Sequence, residues 1–169
     1  MFYTPSNWYW IIVGSSTQVW SSTQLAYVPI ADATYTAWLA AGNRATNIGS
    51  AAELVQVMQQ QAVPLLQASG VAIISTSTPS LSGTYAIDPV SLANLTALST
   101  GIAAGKPLPG GGTTFNYADI AGVQHAFTAA AFLNLAAAIE SYVYDFDQAL
   151  AALIAGQAAT IPAAPLTIP

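Results

Sequence analysis

The sequence predicts an α+β fold of two small modules, each a short antiparallel hairpin or sheet with helices packed on one face. Three observations predict it. Aromatic and β-branched runs flank Gly14-Ser15-Ser16, and again the turn residues Asp119 to Gly122, with the alternation of β-hairpins. From Phe132 to Leu153 apolar residues recur every three or four positions, the period of one buried helix face. Between these regions, Thr76 to Gly83 is a Ser, Thr, Pro and Gly cluster of the kind that joins modules, which divides the chain into residues 1–78 and 79–169.

Taken in order, Trp8 to Val13 and Thr17 to Trp20 form the first hairpin, placing Trp8 and Trp10 on one strand face and Tyr9 on the other. Tyr27 to Ile30 is a further extended piece, which Pro29 confines to an edge or a strand end. Asp32 stands as the N-cap of a helix over Ala33 to Ala41, and Gly42 suits its left-handed C′ position. Tyr35, Trp38 and Leu39 share a face of that helix and point it at the hairpin. Ser50 and Glu53 make a capping box for a second helix, whose apolar stripe runs Leu54, Val55, Met58, Ala62, Leu65 and which Pro64 ends or kinks. Ser69-Gly70 turns the chain into a strand over Val71 to Ile74.

The second half opens with a short strand, Thr84 to Ile87. Asp88-Pro89 then supplies an N-cap and an N1 proline to a helix with Leu92, Leu95, Leu98 and Ile102 on its buried face, closed by Gly105. Lys106 to Gly112 is a loop. Phe115 to Tyr117 and Val123 to Phe127 form the second hairpin, and Thr128 caps a long helix from Ala129 to about Ala155, with Gly156 as C′. Ile161 to Pro169 holds too many prolines for a helix and too much apolar content for a solvated tail. It reads as an extended arm docking on its own domain or on a neighbour.

Composition narrows the function. Only 5% of the 169 residues are charged while 54% are hydrophobic, against roughly a quarter charged in an average domain. Arg44 and Lys106 are the only cations. A surface so poor in ions is neutral and hydrogen-bonding, built from Ser, Thr, Gln and Asn, and suits packing on another protein because burying a paired hydroxyl or amide costs far less than burying an ion. The net charge of −5 and the absence of a basic stripe exclude nucleic-acid binding. The stretch Ala129 to Ala138 is too short and too interrupted, by Asn134 and then Glu140, for membrane insertion. With no cysteine there is no disulfide, thiolate metal site or cysteine nucleophile.

Candidate chemistry is sparse. His125 is the sole histidine, so imidazole catalysis would run through it, with Asp119 orienting it and a serine as nucleophile. A lone histidine beside Phe127 reads rather as a partly buried hydrogen-bonding residue. Glu140, Asp145 and Asp147 could supply a glycosidase pair, but all three fall on one helix, where Asp145 and Asp147 point about 200° apart, the pattern of a solvated face. Pro109 to Gly112 lacks the lysine–serine pair of a phosphate cradle. No catalytic residue, cofactor or metal ligand is assigned. Trp8, Trp10, Trp20 and Trp38 with Tyr3, Tyr9, Tyr27 and Tyr35 crowd the first forty residues, and aromatic residues of this kind carry interface energy. The expected contacts are therefore an outward face of the first hairpin, with Trp8, Trp10, Trp20 and Tyr27, and the arm residues Ile161, Pro162, Pro165, Leu166 and Ile168.

Several strings, Asn7 to Gly14, Tyr27 to Asp32, Trp38 to Asn43, Leu81 to Pro89 and Phe115 to Asp119 with Phe127 and Tyr142-Val143, resemble those of uncharacterised tailed-bacteriophage and prophage proteins. The second half looks like a domain of unknown function found in phage tail-fibre proteins, in which an aromatic hairpin precedes an alanine-rich helix. The resemblance implies a non-enzymatic structural protein of the virion tail, made in the host cytoplasm, whose partners are other tail proteins and copies of itself. A tail-fibre assembly chaperone, or an adhesin that stacks tryptophans on a glycan, are the alternatives.

Overall fold

The structure is a computed structural model and describes residues 5–169, though not the side chains of residues 5, 62 and 64–66. Tyr3 lies outside the described residues, as do the side chains of Ala62 and Leu65. The fold is α+β with a long C-terminal helix.

The first compact unit comprises residues 1–66 and 146–161. Strands β1 (Tyr9–Ile12), β2 (Gln18–Ser21) and β3 (Ala26–Pro29) pair antiparallel, and β4 (Thr46–Ile48) joins β1 in parallel, giving the order β3-β2-β1-β4. Gly14 takes the positive φ that the β1–β2 turn requires, and Pro29 sits on the edge strand, where its missing N–H costs no ladder bond. Helix α1 (Ala33–Ala40) is capped by Asp32, whose Oδ1 accepts from the Thr34 and Tyr35 amides at 2.9 Å each. Tyr35 and Trp38 meet Tyr9 at ring centroid distances of 4.8 and 5.0 Å. Leu39, expected on the same face, is exposed, because the stripe facing the sheet is only as wide as Tyr35 and Trp38.

Helix α2 (Ala51–Val57) starts as its capping residues require, with Ser50 Oγ accepting from the Glu53 amide. Glu53 reaches one residue further back than the usual box and accepts from Gly49 N. The helix does not end at Pro64. It widens into a π turn over Met58–Ala62, in which Val63 N–H donates to Met58 O, and resumes as α3 (Val63–Ala68). Pro64 has no N–H for the fourth carbonyl back, and the change of register sits immediately ahead of it.

Ser22 is buried at the entry to this sheet. Its Oγ accepts from Trp8 N at 2.8 Å and donates to Trp8 O at 3.1 Å. Ser22→Ala removes both bonds from a dry site and is expected to cost about 1–3 kcal/mol, read as a lower urea midpoint by tryptophan fluorescence.

The second unit comprises residues 67–145 and 162–169. Strand β5 (Val71–Ser75) pairs antiparallel with β6 (Gly83–Tyr85) and in parallel with β9 (Leu166–Ile168). Helix α4 (Pro89–Ala103) lies between this sheet and the hairpin β7 (Thr114–Ala118) and β8 (Gln124–Thr128) in sequence, and α5 (Ala129–Ile154) follows directly from β8. The core gathers Tyr85, Leu95, Phe115, Phe127, Phe132, Leu135 and Ile139. The units are thus not the consecutive segments 1–78 and 79–169. Residues 76–83, read as a linker, fall inside the second unit, because β5 on one side and β6 on the other pair with each other. Helix α5 contributes Phe132 to Ile139 to one core and Leu150 and Ile154 to the other.

The cap of α4 carries a pH signature. Hydrogen bonds from the Ser91 hydroxyl and amide, with the Val90 amide, outweigh a small desolvation and hold the Asp88 carboxyl below the usual carboxylate range. A carboxyl depressed in the folded state stabilises it above the ordinary value near 3.9, and the contribution is lost as pH falls through the folded value. Asp88→Ala is expected to cost about 1 kcal/mol at neutral pH. Thermal melts of variant and parent should converge as the pH is lowered below that of an ordinary carboxyl.

Candidate functional site

The outward aromatic face expected of the first hairpin is absent. Trp8, Trp10 and Trp20 are 8%, 2% and 0% exposed, and Tyr9 on the opposite strand face is 1% exposed. Both faces of β1 are buried: Tyr9 meets Tyr35 and Trp38 of α1, while Trp10 shares one core cluster with Leu54 of α2 and Leu150 and Ile154 of α5. Trp8 packs edge-on against Trp38 at 5.1 Å and donates from Nε1 to Thr46 Oγ1 at 2.9 Å, while Trp20 meets Tyr27 at 5.2 Å. The half-buried Tyr27 donates its hydroxyl to Ile154 O at 2.7 Å, and burial pushes its phenol up from the ordinary value. A cleft of about 310 Å³ is lined by Trp8, Trp10, Thr46, Val57 and Gln61. The two indoles line it with little accessible ring, too little for face-on stacking against a sugar. Trp20 Nε1 is buried with no hydrogen-bond partner, a desolvation cost carried by the hydrophobic packing around it.

The arm docks on its own domain. Ile168 is buried in the second core and Leu166 packs against it, whereas Pro165 is exposed and Ile161 and Pro162 are half-buried. Ser75 Oγ donates to Pro169 O and Thr76 donates from both N and Oγ1 to Ile168 O. These two hydroxyl residues were missed as contacts. Thr76 stood at the start of the Ser/Thr cluster taken for a linker, and Ser75 lay between that cluster and the expected strand, with no signal of its own.

His125 is buried on the packed face of β8, with both ring nitrogens engaged. Nδ1 lies 2.6 Å from Ser80 O, which can only accept, so Nδ1 carries the proton. Nε2 lies 3.4 Å from Asp119 Oδ2, the only ion-pair contact among the described residues. Asp119 Oδ1 meanwhile accepts from the Ala121 and Val123 amides at 2.9 Å each. Burial alone pushes the Asp119 carboxyl up, but the Val123 amide, His125 and the Ala121 amide outweigh it and hold it below the usual range. Gly83 closes over the pair: a Cβ there would sit 3.1 Å from both Asp119 Oδ2 and His125 Nε2. Serine enters this constellation through a backbone carbonyl and no hydroxyl. The arrangement fastens β8 to the turn Pro79–Leu81 and presents no activated nucleophile.

The acidic residues of α5 are dispersed. Glu140 accepts from Thr96 Oγ1 at 2.9 Å and lines a cleft of about 350 Å³ with Ser99, Thr100, Ala103, Leu133, Ala136 and Ala137, where it is the only titratable group. Asp145 is exposed, and burial pushes the half-buried Asp147 up. General acid–base work needs two groups facing one bond, and these three do not converge. No group of three or more His, Asp or Glu residues is placed to hold a metal among the described residues, and no described helix is long and apolar enough to cross a membrane.

Fold and site together define an α+β protein in which the four tryptophans and the histidine are spent on packing. Set against models of known protein families, curated proteins and solved structures, the chain matches none of them.

Proposed function

We propose that this chain is a non-enzymatic building block of a bacteriophage virion, associated with the tail and joined to copies of itself and to other tail proteins. The observation that carries the proposal is the surface. Two cationic and seven acidic side chains are all that the chain sets against 8936 Å² of accessible area. The rest of the polar exterior is neutral, as on the outer face of the β7–β8 hairpin, where Thr114, Asn116, Gln124 and Thr128 are exposed. Such groups exchange water for a protein partner at little cost when each finds a hydrogen bond. The phage setting rests on the resemblance of the aromatic and turn strings.

Two measurements test it. Light scattering at rising concentration, alone and with co-expressed tail proteins, should show oligomers or a stable complex. Mass spectrometry of purified particles should find the chain in them. A monomer that binds no tail protein at high concentration overturns the reading, and presence in infected cells but not in finished particles replaces it with an assembly chaperone.

A further inference from the structure

We infer that β9 is an exchangeable strand: the Leu166–Ile168 segment of one copy seats on β5 of a second copy and links them. The inference deepens the building-block reading and rests on it for the presence of neighbouring copies. The seat is specific. β9 lies parallel to β5 with Ile73, Ile74 and Ser75 opposite Leu166, Thr167 and Ile168. Ile168 fills the core beside it, and the Ser75 and Thr76 hydroxyls hold the carbonyls that follow. Without β9, one edge of β5 would be an unpaired row of N–H and C=O groups next to an empty apolar site, which is the receptor geometry for strand addition.

The connection to the seat is held by no backbone ladder, although Ala159, Ile161 and Pro162 are half-buried. Residues 158–164 make no backbone hydrogen bond to another segment among the described residues, and Ala163, Ala164 and Pro165 are exposed. Residues 155–157 are bonded back to the last turns of α5, so the free arm runs from Ala158 to Pro165 and can span about 26–29 Å when extended, a length that serves a copy packed directly alongside. The bonds made in the exchanged state are those of the closed state, so the balance is set by local concentration. A tethered arm competes at an effective concentration of order millimolar. Free chains at low concentration therefore keep their own strand, and copies held side by side exchange it.

The test uses the full chain, which has no native cysteine. Ile74 and Thr167 face each other across β5 and β9 and are both exposed, so cysteines there lie within disulfide reach without touching the core. Chains carrying only Ile74→Cys and chains carrying only Thr167→Cys are mixed at high concentration and oxidised. Exchange yields a disulfide-linked heterodimer well above the roughly twofold excess over each homodimer that random collision gives, rising with concentration. A random ratio overturns the inference. The doubly substituted chain, closed on itself by oxidation, should lose the self-association of its reduced form in light scattering. Oligomers that persist when it is locked overturn exchange but leave the building-block reading standing, whereas chains that never associate with copies or tail proteins, locked or not, overturn both.

Discussion

Phe132→Ala is expected to lower stability by about 3–5 kcal/mol, the range for removing a fully buried aromatic ring from a core that cannot collapse around the void. Phe132 is 0% exposed, at the first turns of α5, and its ring meets Phe115 at 5.0 Å, Tyr117 at 5.1 Å and Phe127 at 5.7 Å, all edge to face. Truncation thus removes the central ring of a cluster in which each pair adds about 0.5–1.5 kcal/mol beyond the area it buries. Loss of this size is a large fraction of the 5–15 kcal/mol that holds an ordinary domain folded. All four tryptophans lie in the first unit, so near-ultraviolet dichroism of the tyrosines is the proper probe of the second. A urea midpoint that falls by less than about 1 kcal/mol equivalent would mean that the cluster repacks, contrary to the ring geometry.

Gly70→Ala is expected to cost about 2–4 kcal/mol from two sources that add. Gly70 turns the chain from α3 into β5 at φ +72, where a side chain is strained, and its Cβ would stand 2.7 Å from the Tyr85 carbonyl oxygen. That oxygen belongs to β6, which pairs with β5 through Val71 and Tyr85, so neither backbone can withdraw without loosening the sheet. Gly14→Ala makes a control: its φ is +92 but nothing lies within 4 Å of the added carbon, so it tests the strain alone. Equal losses in the two variants would refute the steric half of the argument.

Element by element, what could be read from the sequence is what depends on residues close in the chain. Asp32, Ser50 and Asp88 cap helices as their positions require, and Gly42, Gly105 and Gly156 take the positive φ of helix ends. Both hairpins form where aromatic alternation meets turn residues. The π turn ahead of Pro64 was not legible, since ending, kinking and widening a helix all relieve the same missing bond, and the residues near Pro64 do not distinguish them.

The site was legible in part. His125 read from the sequence as a partly buried hydrogen-bonding residue, with Asp119 as the group that could orient it, and the Asp119 contact is present. Its acceptor on Nδ1 is the Ser80 carbonyl, 45 residues away, and backbone carbonyls leave no mark in composition. Tryptophans expected to face outward are buried because the sheet is covered on both sides, and an aromatic strand reads the same whether its second face meets a helix of its own chain or a neighbour.

By itself the sequence determined the class of fold, the helix caps at Asp32, Ser50 and Asp88, the two hairpins and the poverty of ions. Each is an interaction within a few residues or a sum over all of them. Only the tertiary structure decided that α5 serves both cores, that β5 to β6 binds a segment mistaken for a linker, that the indoles turn inward and that β9 returns to β5. Those outcomes depend on which apolar surfaces meet across dozens of residues, and hydrophobic burial has no direction of its own: it rewards any partner that excludes water, so the choice is made only when all the surfaces are present at once.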